Sequence, residues 1–249
     1  MLAKACLLVA MLVPVTLQSP RTFDVVSIKP APPRGRGMSG FSDVRDVTPA
    51  GLRTGAATLA GLIQFAYNID NPDAQVSGLT DWMNSERWAV ETRTAPNTPD
   101  LAKNLPIARE MTRRLLADRF QLRVQLSTRT LPIYELRLAN KGPRQLSPAT
   151  DTAAPHMLYS DGTGSFAEAM NMADMARVFS SVTHRVVVDE TGLNGTYQFK
   201  VKTYSDAANR QTLSQTMLQL ADALGLKLVS ARAPEPILVV LSASRPQPN

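Results

Sequence analysis

Gly35-Arg36-Gly37-Met38-Ser39-Gly40 has the G-x-G-x-x-G spacing of a dinucleotide-binding turn. That chemistry needs the turn tight against a strand and opening a helix, so that the helix N-terminus faces a pyrophosphate. Here Pro30 to Arg34 separate it from the preceding apolar run, and Phe41 to Val47 reads as extended before Pro49. The segment is read as an exposed loop in which Arg34 and Arg36 are candidate anion contacts. Nucleophile chemistry finds no G-x-S-x-G elbow, and the histidines are His156 and His184. Triads are defined by geometry rather than by order, so His184 with Asp189 is the pair that a distant serine could join. His184 also precedes an expected strand, where it serves equally as a strand-edge residue.

Metal and carboxylate chemistry have little to work with. Two isolated histidines do not make the several His or Cys ligands that zinc takes. Asp70-Asn71-Pro72-Asp73 offers oxygens but lacks the calcium-loop spacing and its glycine. Glu91, Glu135, Asp189 and Glu190 could meet in space as a glycosidase pair, while Asp189-Glu190-Thr191-Gly192 is more economically a turn. Arg109, Arg113, Arg114 and Arg119 place positive charge on one helix and its end, with no interleaved aromatic series for stacking bases. A solvated helix face is the expectation there. No catalytic, cofactor-binding or metal-binding residue is assigned, and no cofactor is expected.

The elements that would position such residues alternate between strand and helix periods. Phe23–Lys29 reads as a strand stopped by Pro30. Thr58 caps a helix with Leu59, Leu62, Ile63 and Ala66 on one face, ended at Asn71-Pro72. Trp88–Thr92 is a strand, and Pro106 opens a helix lined by Ile107, Met111 and Leu115. Gln121–Leu126 and Pro132–Leu138 alternate and are expected to pair as a hairpin. Arg144–Pro155 is rich in Ser, Thr, Ala and Pro and reads as linker. Beyond it, Asn171 caps a helix with Met172, Met175, Ala176 and Phe179 on one face. Arg185–Val188 and Tyr197–Val201 are strands. A helix with Leu213, Met217, Leu220 and Leu224 closes at Gly225, and Leu226–Val229 and Ile237–Leu241 are the last strands.

The two halves match. Leu116-Ala117-Asp118-Arg119-Phe120-Gln121-Leu122-Arg123-Val124 falls without a gap on Leu220-Ala221-Asp222-Ala223-Leu224-Gly225-Leu226-Lys227-Leu228. In the same register Pro132-Ile133 falls on Pro236-Ile237. The predicted fold is α+β: two similar repeats, each strand-helix-strand-strand-helix-strand-strand, with helices packed on mostly antiparallel sheets. The predicted boundaries are a leader over 1–19, a first repeat with its N-terminal strand over 20–143, a linker over 144–158 and a second repeat over 159–249.

The leader rests on Lys4 followed by the uncharged run Ala5–Val13, the layout of a secretory signal and too short for a comfortable membrane span. Its removal would take Cys6, the single cysteine, and would lower the formal charge from +6 to +5. A cysteine-free mature chain suits an oxidising compartment. The expected location is periplasmic or secreted, with membrane contact only through the leader.

Phe23-Asp24-Val25-Val26-Ser27-Ile28-Lys29-Pro30, Leu115-Leu116-Ala117-Asp118-Arg119-Phe120, Leu131-Pro132-Ile133-Tyr134 and Val187 to Tyr197 together carry a resemblance. From about Phe23 to Leu241 the chain resembles the soil-associated bacterial protein family, an exported domain of unknown function. The arginine-rich loop after Pro33 departs from that pattern. The helix-to-Gly225-Leu226-Lys227-Leu228 join is also similar to the short N-terminal domains of secretins and TonB-dependent transporters. The family implies export, and in some members a link to membrane metallopeptidase sensors; it supplies no catalytic residues. The functional expectation is a non-enzymatic binding or interaction module of the cell envelope, its partner an unknown protein or envelope ligand and not nucleic acid. The alternatives are a secreted hydrolase of cell-wall or polymeric material and a sensory partner of a membrane metallopeptidase.

Overall fold

The computed structural model describes residues 21–32, 46–152, 158–160, 164–202 and 213–247. The chain begins with β1 (Val25–Ala31), β2 (Asp46–Thr48) and β3 (Gly51–Thr58), followed by α1 (Leu59–Tyr67), α2 (Pro72–Gln75), β4 (Val76–Ser77) and α3 (Asp81–Ser85). β5 (Arg87–Arg93), α4 (Leu105–Arg119) and β6 (Arg123–Leu138) come next. The remainder runs through β7 (Ser147–Pro148), β8 (Tyr159–Ser160), β9 (Ser165–Met170), α5 (Met172–Thr183), β10 (Val187–Asp189), β11 (Tyr197–Val201), α6 (Leu213–Ala223) and β12 (Leu226–Ser242). The class is α+β.

The caps form as the residue types predict. Thr58 Oγ1 accepts from the Gly61 amide at 3.0 Å at the start of α1, and Asn171 Oδ1 accepts from the Asp174 amide at 2.7 Å at the start of α5. One end differs from expectation. α1 stops at Tyr67, where Asn68 turns left-handed with φ 54, and Asn71 is instead the N-cap of α2. Asparagine tolerates that conformation, so the chain turns before proline is reached. After α6, Gly225 has φ 72, and a Cβ there would lie 2.2 Å from the Gly142 carbonyl oxygen. Only glycine fits so close an approach of the two chain segments.

Among the described residues three sheets result, with strand orders β1-β5-β3-β2, β7-β11-β9-β8 and β10-β6-β12-β4. The third is built on a long antiparallel ribbon in which β12 pairs with β6 from Leu226↔Leu138 to Ser242↔Arg123. The expected hairpin of Gln121–Leu126 with Pro132–Leu138 is therefore corrected: both segments belong to one 16-residue strand. Leu226–Val229 and Ile237–Leu241 likewise merge into one strand. The physical reason lies in the connection. Ser127-Thr128-Arg129-Thr130 contains none of the Gly or Asn residues that tight hairpin turns use, and each of the four pairs with β12, from Ser127↔Ile237 to Thr130↔Pro234. Pro132, Pro234 and Pro236 lie outside the stretches where β10 and β4 add to the ribbon, at Tyr134–Leu136 and at Leu238–Val239. A strand with one neighbour tolerates the missing amide hydrogen.

The ribbon joins two hydrophobic cores. The first holds Ile28, Leu52, Leu62, Ile63, Trp88, Met111, Leu116 and Phe120, and it also takes Leu238 and Val240 from β12. The second holds Met175, Phe179, Phe199, Val201, Leu220 and Leu224, and it takes Leu136 from β6. Each core is thus completed by a strand whose helix belongs to the other half. Between them Leu131, Ile133, Ile237 and Val186 form a third, smaller cluster. Even-numbered β6 positions pack inward near the two ends and odd-numbered ones at the centre, as a strongly twisted two-stranded ribbon requires.

Candidate functional site

His184 is the left-handed residue that ends α5, with φ 54, and its Nδ1 lies 3.2 Å from Asp73 Oδ2. Both side chains are about three-quarters exposed, at 74% and 73%. Asp189 does not meet it: Asp189 Oδ1 accepts from the Thr191 amide at 3.0 Å and the Thr191 hydroxyl at 2.7 Å. The nearby Ser180 is buried, its hydroxyl donating to Ala176 O at 2.9 Å and accepting from the Val187 amide at 2.8 Å. Those groups hold α5 and β10 in place and do not form a charge-relay set. Glu91 sits on β5, in a different sheet from Glu135 and Asp189. Among the described residues no three His, Cys, Asp or Glu side chains are grouped to hold a metal. His156, the G-x-G-x-x-G match and Arg34 and Arg36 lie outside the described residues.

A different group is assembled where the two halves meet. Asn71, just past α1, is 3% exposed and donates through Nδ2 to Ser180 O of α5 at 3.2 Å. Beside it, Asp70 Oδ1 lies 3.5 Å from Arg177 Nε, and Arg177 Nη1 donates to Asp174 Oδ1 at 3.2 Å. From α4 come Arg109 and Arg113, four positions apart and so on one helix face. Arg109 Cζ stands 6.0 Å from the centroid of the Phe65 ring and Arg113 Cζ 5.7 Å from that of Tyr67. Both distances fall within the reach of cation–π attraction.

This cluster is partly desolvated, and its charges report it. Burial raises the Asp70 carboxyl above its ordinary value, against the opposing pull of Arg177 and Arg109. Burial also lowers Arg109, and Arg177 adds repulsion that Asp70 partly offsets. Tyr67 is raised by burial, with Arg113 acting the other way. Arg109 Nε is buried and has no acceptor among the described residues. No described acceptor pairs with Arg113 either; its contact is the Tyr67 ring. Both carboxylates instead lie against Arg177, leaving two guanidiniums on aromatic supports with donors to spare.

Clefts also lie elsewhere among the described residues. One of about 450 Å³ runs between the start of β1 and α4, lined by Phe23, Asp24, Val25, Arg114, Asp118 and Arg119. Arg114 there is already engaged, donating to Arg21 O at 2.7 Å and to Glu110 Oε1 at 2.6 Å. Another, of about 410 Å³, is lined by Pro30, Ala31, Ser85, Glu86, Arg87 and Trp88. Its Glu86 is clamped by Arg245 at 2.6 and 2.8 Å, and Arg245 covers the Trp82 ring at 5.0 Å. Arg114 and Arg245 thus have acceptors within the chain, in contrast to Arg109 and Arg113. The sequence placed those two on a solvated face. It could show their spacing but not the rings of α1 beneath them.

A family model described as a protein of unknown function, DUF3738, matches residues 60–243. The chain belongs to the DUF3738 family. No curated protein and no solved structure matches it. The DUF3738 match runs from within α1 through β12, so it takes in the second core, the ribbon and every residue of the seam cluster, while Ile28 and Leu52 of the first core precede it. It bears out the family of unknown function within the resemblance drawn from the sequence, and it carries no activity with it.

Proposed function

We propose that this DUF3738 chain is an exported, non-enzymatic binding module of the cell envelope, and that it acts by contact with an acidic partner. The observation that carries the reading is the pair Arg109 and Arg113, supported on Phe65 and Tyr67 and lacking acceptors among the described residues. A partly buried cation without a partner is unfavourable in the isolated chain, and an incoming anion would offset that cost. Of the pair that sequence reasoning considered for catalysis, Asp189 is bonded to Thr191 and His184 stands exposed.

The scaffold in this proposal is a duplicated unit. Two four-stranded sheets share one order when β1, β2, β3 and β5 are set against β7, β8, β9 and β11. The third sheet is symmetric under the same rule, because β4 meets β12 at Leu238 and β10 meets β6 at Tyr134. The ungapped sequence match equates Tyr134 with Leu238, and it equates Thr130 with Pro234, which pair with each other at the ribbon's centre. On this reading each copy lends its last strand to its neighbour. The segment proposed as linker contributes β7, which pairs with β11.

Export is read from Lys4 and the apolar run to Val13, which lie outside the described residues. Amino-terminal sequencing of the protein recovered from periplasm and medium tests it, and a chain that stays cytoplasmic with Met1 intact would refute it. For the contact reading, a panel of esters, glycosides and peptides should show no turnover. Hydrolysis that disappears in His184→Ala would establish the hydrolase alternative instead.

A further inference from the structure

We infer that Arg109 and Arg113 form a receptor for an oxyanion, a carboxylate or phosphate group presented by the partner, with Phe65 and Tyr67 as its floor. The inference deepens the contact-based reading above and rests on it. Four observations carry it. The arginines are one helical turn apart on α4, so both forks address the same region. Each is restrained over a ring, at 6.0 and 5.7 Å, which lowers the entropy lost when a ligand is gripped. Neither has an acceptor among the described residues, although Arg109 Nε is buried. Finally, the carboxylates of the cluster, Asp70 and Asp174, are held 3.5 and 3.2 Å from Arg177, and although Asp70 attracts Arg109, neither forms an ion pair with the α4 arginines.

The chemistry of the group favours an oxyanion over a base or an apolar chain. A guanidinium matches two oxygens of a carboxylate or phosphate at once. Each ring already carries a cation, which leaves less aromatic surface for stacking a nucleobase. Partial burial of Arg109 lowers the local dielectric and strengthens attraction to an incoming negative charge.

The test uses the full chain and follows the arginine Nε–Hε signals by NMR, with Arg109 and Arg113 assigned from Arg→Lys variants. Succinate and inorganic phosphate are the two probes, each against sodium chloride at equal ionic strength. The inference expects saturable shifts of the Arg109 and Arg113 signals with one probe or both. The preferred probe tells a carboxylate source from a phosphate source. Arg109→Gln should weaken binding about tenfold or more, while Arg123→Gln, which removes a charge elsewhere, should leave it within about twofold. If Arg109→Gln does not fold, Arg113→Lys keeps the charge on an exposed position and should still lose the two-oxygen grip. Shifts that chloride reproduces, or that Arg109→Gln and Arg113→Lys leave unchanged, overturn the inference. That outcome leaves the contact-based reading standing, whereas turnover lost in His184→Ala would remove the reading itself.

Discussion

Leu136 and Leu238 make the sharpest test of how the two cores are built. Leu136 is fully buried on β6, whose preceding helix is α4, yet its side chain packs in the second core with Phe179, Leu220 and Leu224. Leu238, 2% exposed on β12 after α6, packs in the first core with Leu62, Met111 and Leu116. Truncating a buried leucine to alanine removes its transfer free energy and leaves a cavity, about 2 to 5 kcal/mol in all. Leu136→Ala should therefore lose that much by urea unfolding. Its hydrogen exchange should quicken in α5 and α6, more than in the α4 that immediately precedes it in sequence. Leu238→Ala should give the crossed result, with faster exchange in α1 and α4. A loss below about 1 kcal/mol, or faster exchange confined to the helices of the mutated residue's own half, would refute the strand exchange on which the account of the cores depends.

Gly225→Ala should destabilise by roughly 1 to 3 kcal/mol from its left-handed backbone alone, with more from the contact 2.2 Å away at Gly142 O, read as a lowered thermal midpoint. Asn71→Ala removes both the α2 cap and the bond to Ser180 O, and it should cost about 1 to 2 kcal/mol in chemical denaturation. Asp70 sets a pH dependence of definite sign. Its carboxyl is raised in the folded chain by burial, so the stability it contributes is present below its ordinary value and is lost as pH rises through the folded value. Measured from pH 3 to 6 by urea unfolding, wild type should lose stability relative to Asp70→Asn as pH rises. The opposite trend would mean that the Arg177 pairing outweighs burial.

Much of the secondary structure was legible because it depends on neighbours along the chain. Thr58 and Asn171 announce helix starts through short side chains that satisfy amides three residues on. Gly225 announces a helix end through the one conformation other residues avoid. The ungapped match of Leu116–Val124 with Leu220–Leu228 was visible as plain correspondence of residues. The 16-residue length of β6 was not, because Ser127 to Thr130 stay extended only through a partner strand more than a hundred positions away. Nor was the displaced end of α1, which turned on the backbone conformation of Asn68.

The seam cluster divides in the same way. Residue order alone determined that Arg109 and Arg113 share a helix face, that the catalytic motifs lack their contexts, and that the chain alternates helix and strand as an α+β protein. Only tertiary structure decided that Phe65 and Tyr67 lie beneath those arginines, that Arg177 forms the ion pairs with Asp70 and Asp174, and that each core borrows a strand from the other half. Spacing of 2 or 3.6 residues specifies which side chains share a face. Which surface that face meets is chosen by packing between distant segments, and their separation along the chain leaves no local trace.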